Sequence, residues 1–393
     1  MTTLSKNPEN QNLRISTKPE IELILCCIRP EIDDVTTQKI QILVQKKIDW
    51  ENLIHLAYTH GVIPLLYTRL NTICPKDISE STLQKFRSIF QSIATRNLFL
   101  TGELLKLLNF LKEQGIVAVP YKGPVLANLI YGNVALRQFV DLDILVQQQD
   151  IFAVKKLLIS QGYQPKLEMT YAEELDYLRA KTEHTYDFFH PQKGILIEVH
   201  WRIAPKYVSS IEPKHLWQDI EPFSFAGTTI SNLPLEDWIP ILCVHGSRHM
   251  WIRLAWLCDL ATLVQNHPNL NWEKVLELSQ TLGCRRILCL GLYLVNHLFG
   301  VALPKETWQK ITEDNIVPTL LPKIYNELFG EVRTSERFLG KSLYHLQVRE
   351  RWQDKFLYIQ SFLYWLIYRK GAKYLAFPLN HKVDNAKITH LTN

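Results

Sequence analysis

The chain has 393 residues, of which 47% are hydrophobic and 21% are charged, with a formal net charge of +5. This composition is typical of a soluble globular protein with two or three lobes, and it excludes a disordered chain. The small net charge permits a local phosphate-binding surface but does not indicate bulk binding of nucleic acid.

The cysteines and the hydropathy pattern bear on the compartment. Seven cysteines are scattered along the chain, and no two of them are spaced as C-x-x-C. The N-terminus is polar and lacks the pattern of a signal peptide, so we expect a cytoplasmic protein. No run of about 18 apolar residues occurs, so we expect no membrane span. The aromatic segment 356–376 contains charged residues and is predicted to be a packed helix.

The first 115 residues are predicted to be a flexible N-terminus, 1–18, followed by an N-terminal helical region, 19–115. Apolar residues recur every three or four positions from Leu83 to Leu111, and Gly115 follows as a helix end. Asp49 precedes Trp50 and Glu51 as a plausible N-cap of another helix.

Residues 116–230 change in character and are predicted to form an α/β core of about one domain. The pattern indicates strands at 116–120, 140–146, 184–190 and 195–201, and helices at 125–131 and 150–161. From Pro234 to about residue 376 the pattern is helical again, which defines a C-terminal helical region, 231–393. The predicted fold class is therefore α+β, a small mixed β-sheet flanked by helical regions.

Two carboxylates lie in the predicted strand 140–146. Asp141 and Asp143 alternate with Val140, Leu142 and Ile144, so we expect the three apolar residues to face the core and the two acids to share the other face, about 6–7 Å apart along the strand. Adjacent carboxylates repel each other, and a hard cation such as Mg²⁺ neutralises them through their oxygen atoms. The alternative is an exposed edge strand whose polar face carries two acids.

A third acid, Glu198, lies in the middle of the apolar strand 195–201. A carboxylate on a covered strand face needs a partner, either a metal ion or a salt bridge to Arg137 or Lys122. Three carboxylates on adjacent strands are the set that two-metal phosphoryl or nucleotidyl transfer requires. His200 shares the face of Glu198, and we expect it to be a hydrogen-bonded structural residue rather than a ligand or base.

Candidate phosphate donors precede the acidic strand. Lys122 and Gly123 lie where a strand ends and a helix begins, so the backbone can approach a phosphate and the helix N-terminus supplies N–H groups. Lys122 adds a point charge, and Arg137 adds a planar guanidinium four residues before Asp141.

The order of these motifs resembles the nucleotidyltransferase superfamily with the DNA polymerase β-like fold. The chain more closely resembles a bacterial group of uncharacterised nucleotidyltransferases, over roughly residues 20–300. The residues that carry this resemblance are Lys122-Gly123, Tyr131-Gly132, Arg137, Asp141 to Val146, Gly162-Tyr163, Glu198 to Trp201, and the helical set His245, His249, Trp251, Arg253, Leu254, Trp256 and Asp259.

The resemblance implies a site and a reaction. Asp141 and Asp143 would bind Mg²⁺ or Mn²⁺, and Glu198 would complete the metal triad and help deprotonate the acceptor. An NTP would be the co-substrate, its triphosphate oriented by Lys122, Gly123 and Arg137, and a nucleoside monophosphate would pass to an unknown acceptor, a small molecule or a protein. One departure is Gly123-Pro124, because the superfamily turn is typically Gly-Ser or Gly-Gly.

Other functions stay open at this point. The same fold could be a catalytically silent nucleotide-binding or protein-interaction module. A transferase that modifies nucleic acid is disfavoured by the charge of +5. His245 and His249 are four residues apart, but position 246 is Gly, so the general base of a zinc protease motif is missing and we assign no zinc. Arg248 and Arg253 face either the acidic site or water.

Overall fold

A computed structural model describes residues 18–209, 213–330 and 336–368 of the chain. The predicted flexible N-terminus, apart from residue 18, and the end of the aromatic segment 356–376 lie outside the described residues. The helices before the sheet are α1 (Pro19–Cys27), α2 (Asp34–Val44), α3 (Trp50–Thr59), α4 (Ile63–Ile73) and α5 (Glu80–Glu113).

The ends of these helices follow from local chemistry. The Asp49 carboxylate accepts a hydrogen bond from the Asn52 backbone N–H at 3.0 Å, which confirms it as the N-cap of α3. The long helix α5 ends at Glu113, and Gly115 follows with a φ of +73°. A residue with a side chain would be strained in this left-handed conformation, so glycine suits the position.

The central part of the chain forms a five-stranded sheet in the order β1-β2-β5-β4-β3. Strands β2 and β5 are parallel, and the other neighbours are antiparallel. Its elements are β1 (Ala118–Pro120), α6 (Gly123–Tyr131), a 3₁₀ turn (Val134–Leu136), β2 (Asp141–Val146), a second 3₁₀ turn (Gln148–Asp150), α7 (Ile151–Ser160), β3 (Gln164–Pro165), α8 (Tyr171–Arg179), β4 (Thr185–His190) and β5 (Ile195–His200).

The four predicted strands are confirmed, with bounds that differ by one or two residues. The prediction missed β3, α8, the short helix α9 (Pro213–Gln218) and a separate hairpin of β6 (Glu221–Phe225) and β7 (Thr228–Asn232). The missed strands are short or polar, so they lack a clear two-residue alternation.

The prediction that Val140 faces the core is wrong: Val140 precedes β2 and is 48% exposed.

Two hydrophobic cores hold the molecule together. The sheet core packs one face of the sheet, with Leu142, Ile144 and Ile197, against α6, α7 and the C-terminal half of α5. The helical core joins the N-terminal helices to the C-terminal ones and reaches the sheet at Leu145 and Tyr121. The segment limits at 18/19, 115/116 and 230/231 stay predictions.

The described residues after β7 are helical, as predicted for the region up to about residue 376, and they supply the second wall of the helical core. Its helices are α10 (Leu235–Arg248), α11 (Leu254–Asn266), α12 (Trp272–Thr281), α13 (Arg285–Phe299), α14 (Lys305–Thr312), α15 (Val317–Phe329), α16 (Glu336–Val348) and α17 (Trp352–Tyr368). No helix among the described residues is both long and apolar enough to cross a membrane.

Helices α10 and α11 are joined by a turn with a strained backbone. Met250 and Trp251 have φ values of +53° and +55°, in the left-handed region that favours glycine. The Trp251 side chain is fully buried, and it lies against Gly246 of α10. A Cβ atom at Gly246 would lie 2.3 Å from the Trp251 ring. The absence of a side chain at position 246 therefore allows this turn to close.

We expect Gly246→Ala to lower the free energy of unfolding by about 1–3 kcal/mol, because the buried indole has no room to move. Gly102→Ala is the matched control, since Gly102 lies inside α5 with no atom within 4 Å of an added Cβ. That variant should raise stability by about 0.5–1 kcal/mol through helix propensity. Urea titrations of both variants measure the two changes. Equal effects of the two substitutions would contradict the proposed packing.

Candidate functional site

Three carboxylates form one row across the sheet. Asp143 of β2 is the register partner of Glu198 in β5, and Asp187 of β4 is the partner of the same Glu198. Register partners project from the same face of a sheet, with Cβ atoms about 4.5–5.5 Å apart. The parallel pairing of β2 and β5 therefore brings together two acids that are far apart in the sequence, as predicted for Asp143 and Glu198.

Two cationic side chains contact the buried member of this row. Lys122 Nζ lies 2.8 Å from Asp143 Oδ1, and His200 Nε2 donates a hydrogen bond to the same oxygen at 2.9 Å. His200 Nε2 also lies 3.5 Å from Glu198 Oε2. The predicted salt bridge of Lys122 is therefore made with Asp143. His200 is a hydrogen-bonded residue as predicted, and it bridges two of the acids.

The backbone at Lys122 is strained. Its φ of +68° and ψ of −145° lie in a region that residues other than glycine avoid at a penalty of about 1–3 kcal/mol. This conformation begins α6 and turns the lysine toward the sheet. The ammonium lies 4.7 Å from the centre of the Tyr121 ring, which also contacts His200 edge-on at 4.8 Å. Gly123 follows with a φ of +49°, so glycine suits that position as well.

The electrostatics of the row differ from one acid to the next. Burial alone would raise the pKa of Glu198, but the hydrogen bond from His200 and the charge of Lys122 hold that pKa well below its usual range. Burial and the charge of Glu198 raise the pKa of Asp187, although Lys166 lies 3.2 Å from it. Burial opposes protonation of His200, but its bonds to Asp143 and Glu198 raise its pKa. The lowered pKa favours the ionised form of Glu198, and the raised pKa of Asp187 favours its protonated form.

A metal ion could be held by Asp143, Glu198 and His200. One ligand atom from each of these side chains lies within 4.8 Å of the others. Asp141 lies outside this group: it is half-buried at the start of β2 and is register partner to Leu196. The predicted roles of Asp141 as a metal ligand and of His200 as a structural residue stay predictions. The two-residue spacing from Glu198 to His200 already placed these two side chains on one face.

Arg137 is predicted to lie beside a triphosphate, and in the structure its side chain contacts Asp259 of α11. Its Nε donates to Asp259 Oδ2 at 2.9 Å, and the Tyr131 hydroxyl donates to Asp259 Oδ1 at 3.1 Å. Asn97 Nδ2 donates to the Arg137 carbonyl at 2.7 Å. Both partners of the ion pair are buried. Arg137 therefore connects the sheet region to α11, and its role toward a triphosphate stays a prediction.

The end of α10 and the turn after it face the acidic row. Arg248 Nη1 lies 2.6 Å from His184 Nε2, and the His184 ring lies 5.8 Å from the His200 ring. The charge of Arg248 helps to lower the pKa of Glu198, and the charge of Asp141 acts on Arg253. Arg248 therefore faces the acidic site rather than water. For Arg253 the orientation toward the site stays a prediction.

Two histidines of α10 and the following turn pack against an indole ring. The rings of His245 and His249 lie 5.0 Å apart, and each lies 5.1 Å from the Trp256 ring. Burial, followed by the charge of Lys122, lowers the pKa of His245 well below its usual value. His245 is therefore neutral near pH 7.

One protein family model matches this chain, and no curated protein does. A family model described as "Uncharacterised nucleotidyltransferase" matches residues 46–300, which is more than half of the chain. The match spans the sheet, the carboxylate row and the helices α10 and α11.

We expect Asp259→Ala to lower the free energy of unfolding by about 3–5 kcal/mol, because it leaves the buried Arg137 guanidinium without its carboxylate. Chemical denaturation measures this loss. The double variant Arg137→Met/Asp259→Leu is the control, since it removes both charges and should recover most of the stability. A loss below about 1 kcal/mol in the single variant would argue against a structural ion pair.

Proposed function

The chain belongs to the family of uncharacterised nucleotidyltransferases, and we propose that it transfers a nucleoside monophosphate from an NTP to an acceptor with the help of a divalent cation. The observation that carries this proposal is the pairing of Asp143 with Glu198 on adjacent parallel strands, with His200 bridging them. The acceptor is a small molecule or a protein hydroxyl, amine or phosphate.

The side chains present fit a divalent cation. Asp143 and Glu198 offer carboxylate oxygens, which Mg²⁺ and Mn²⁺ prefer, and Asp141 lies one register step away on the same face. Lys122 and His200 neutralise these acids at present, so their contacts with Asp143 would loosen when a cation binds. The bound cation would withdraw charge from the phosphates and make the acceptor oxygen more acidic.

Lys122 and Gly123 are proposed to receive the phosphates. Lys122 is buried and charged, because Asp143 raises its pKa against the effect of burial. Its strained backbone places the N-terminus of α6 beside β2, where an added Cβ on Gly123 would lie 3.7 Å from the Asp141 carbonyl. Pro124 removes one N–H from this helix end, so the lysine charge has a larger share in binding than the backbone does.

The proposed reaction is a displacement at the α-phosphorus. The acceptor oxygen or nitrogen forms a bond to the α-phosphorus, the bond from that phosphorus to the bridging oxygen of the β-phosphate breaks, and pyrophosphate leaves. The acceptor proton passes to a carboxylate. Glu198 is the weaker base, because its pKa is lowered, whereas Asp187 has a raised pKa and is the better proton acceptor of the two.

A second candidate function is supported by the same contacts. Asp143 already has two cationic partners within 3 Å, so its charge is satisfied without a metal ion. A catalytically silent nucleotide-binding module would keep this arrangement. Calorimetry with ATP and CTP, with and without Mg²⁺, separates the two functions. Nucleotide binding that is unaffected by Mg²⁺ favours the silent module.

We expect Asp141→Asn and Asp143→Asn each to reduce nucleotide transfer by at least about 100-fold, because each removes a charged ligand for the cation. Transfer from α-labelled NTPs to candidate acceptors, and to the protein itself, is the measurement. Asp219→Asn is the control, since that exposed acid pairs with Lys274 outside the sheet. Circular dichroism confirms that each variant is folded. Full activity in either site variant would exclude this site.

A further inference from the structure

Arg248 and Arg253 flank the strained turn between α10 and α11, and both are partly buried. Arg248 ends α10, and Arg253 is the N-cap of α11. The left-handed backbone of Met250 and Trp251 and the packing of Trp251 against Gly246 hold the turn in one conformation. The two guanidinium groups are therefore held in place before any ligand binds.

Neither arginine contacts a carboxylate. Within the described residues, no Asp or Glu oxygen lies within 4 Å of either guanidinium group. Arg248 Nη1 bonds to His184, and its Nε is buried without a hydrogen-bond partner. Burial and the charge of Arg248 lower the pKa of His184 well below its usual value, so this imidazole is neutral and does not compensate the charge.

Other arginines that are removed from water have acceptors in direct contact, and buried Arg349 donates to the backbone carbonyls of Tyr207 and His345. Arg137 is paired with Asp259, and Arg286 is paired with Asp314 at 2.7 Å. A partly buried cation with no carboxylate in direct contact loses hydration and recovers only a longer-range attraction to nearby acids, which for Arg248 are Glu183 and Glu198. For Arg253, burial lowers the pKa, and the charge of Asp141 only partly opposes this. Two such arginines beside one turn are the arrangement expected where an anionic group binds.

The position of this pair suggests which anion it takes. Arg248 is linked through the His184 and His200 rings to Asp143, and Arg253 interacts with Asp141. An anion bound beside Arg248 and Arg253 would lie close to the carboxylate row. The carboxylates would repel this anion unless several positively charged side chains hold it in place. Lys122 supplies a third positive charge beside Asp143. A polyphosphate, with several charged oxygens, can contact such separated cations at once.

We propose that Arg248 and Arg253 form a polyphosphate-binding pair on the helical side of the site, opposite the carboxylate row. This inference deepens the proposed function and rests on it for the identity of the polyphosphate, either the triphosphate of the NTP or a phosphate group of the acceptor. Arg137, held by Asp259, contributes to the position of α11.

The test is calorimetric binding of inorganic tripolyphosphate to the full chain without divalent cations. We expect Arg248→Ala and Arg253→Ala each to weaken binding by about 10-fold or more, because each removes charge-assisted hydrogen bonds. Arg248→Lys and Arg253→Lys should recover part of the loss, since they keep the charge but not the planar fork. Arg179→Ala, on the exposed end of α8, is the control and should bind as the unchanged chain does.

The outcomes separate this inference from the proposed function. If folded Arg248→Ala and Arg253→Ala bind tripolyphosphate with unchanged affinity, or if the unchanged chain does not bind it, the inference is overturned. If binding depends on the arginines but no NTP supports transfer, only the proposed function fails. Competition then identifies the source: displacement of ATP or CTP by tripolyphosphate assigns the pair to the NTP, and simultaneous binding assigns it to the acceptor.

Discussion

The parallel pairing of β2 with β5 places Asp143 and Glu198 side by side in the sheet, and the other features of the site compensate for that proximity. Two adjacent carboxylates with little access to water are unfavourable unless cations or hydrogen bonds neutralise them. Lys122 supplies a positive charge, and His200 supplies hydrogen bonds. The backbone at Lys122 is strained, and this strain is the conformational cost of the arrangement. The helices around the sheet exclude water from the same region, which strengthens every one of these interactions.

The arginines around the site fall into two groups with different roles. Arg137 and Asp259 satisfy each other and join the sheet to α11, so their contribution is to the relative position of two elements. Among the described residues, Arg248 and Arg253 have no carboxylate within 4 Å. Arg248 bonds to His184 beside the acids, and Arg253 senses the charge of Asp141. All of these arginines are partly or fully removed from water, so the difference between the two groups is the presence or absence of a carboxylate in direct contact.

The helical parts of the chain explain why so small a sheet is stable. Helices from both ends of the sequence share one core, and the long helix α5 contributes its first half to that core and its second half to the sheet core. The turn between α10 and α11 is closed by the contact of Trp251 with Gly246. The same helices that stabilise the sheet thus carry the residues that face its acidic row.

The sequence by itself determined the α+β class, the four main strands and the shared face of Glu198 and His200, because strand periodicity is a local property that residue order encodes directly. It also indicated the turn at Lys122 and Gly123 before α6. It did not indicate β3 or the β6–β7 hairpin, whose polar residues lack a two-residue alternation. Only the tertiary structure decided that Asp143 lies beside Glu198, that Lys122 pairs with Asp143, that Arg137 pairs with Asp259 across 122 residues of sequence, and that Arg248 bonds to His184 beside the acids. Those facts depend on which elements pack together, and a charged residue has the same sequence pattern whether its partner is a carboxylate, a ligand or water.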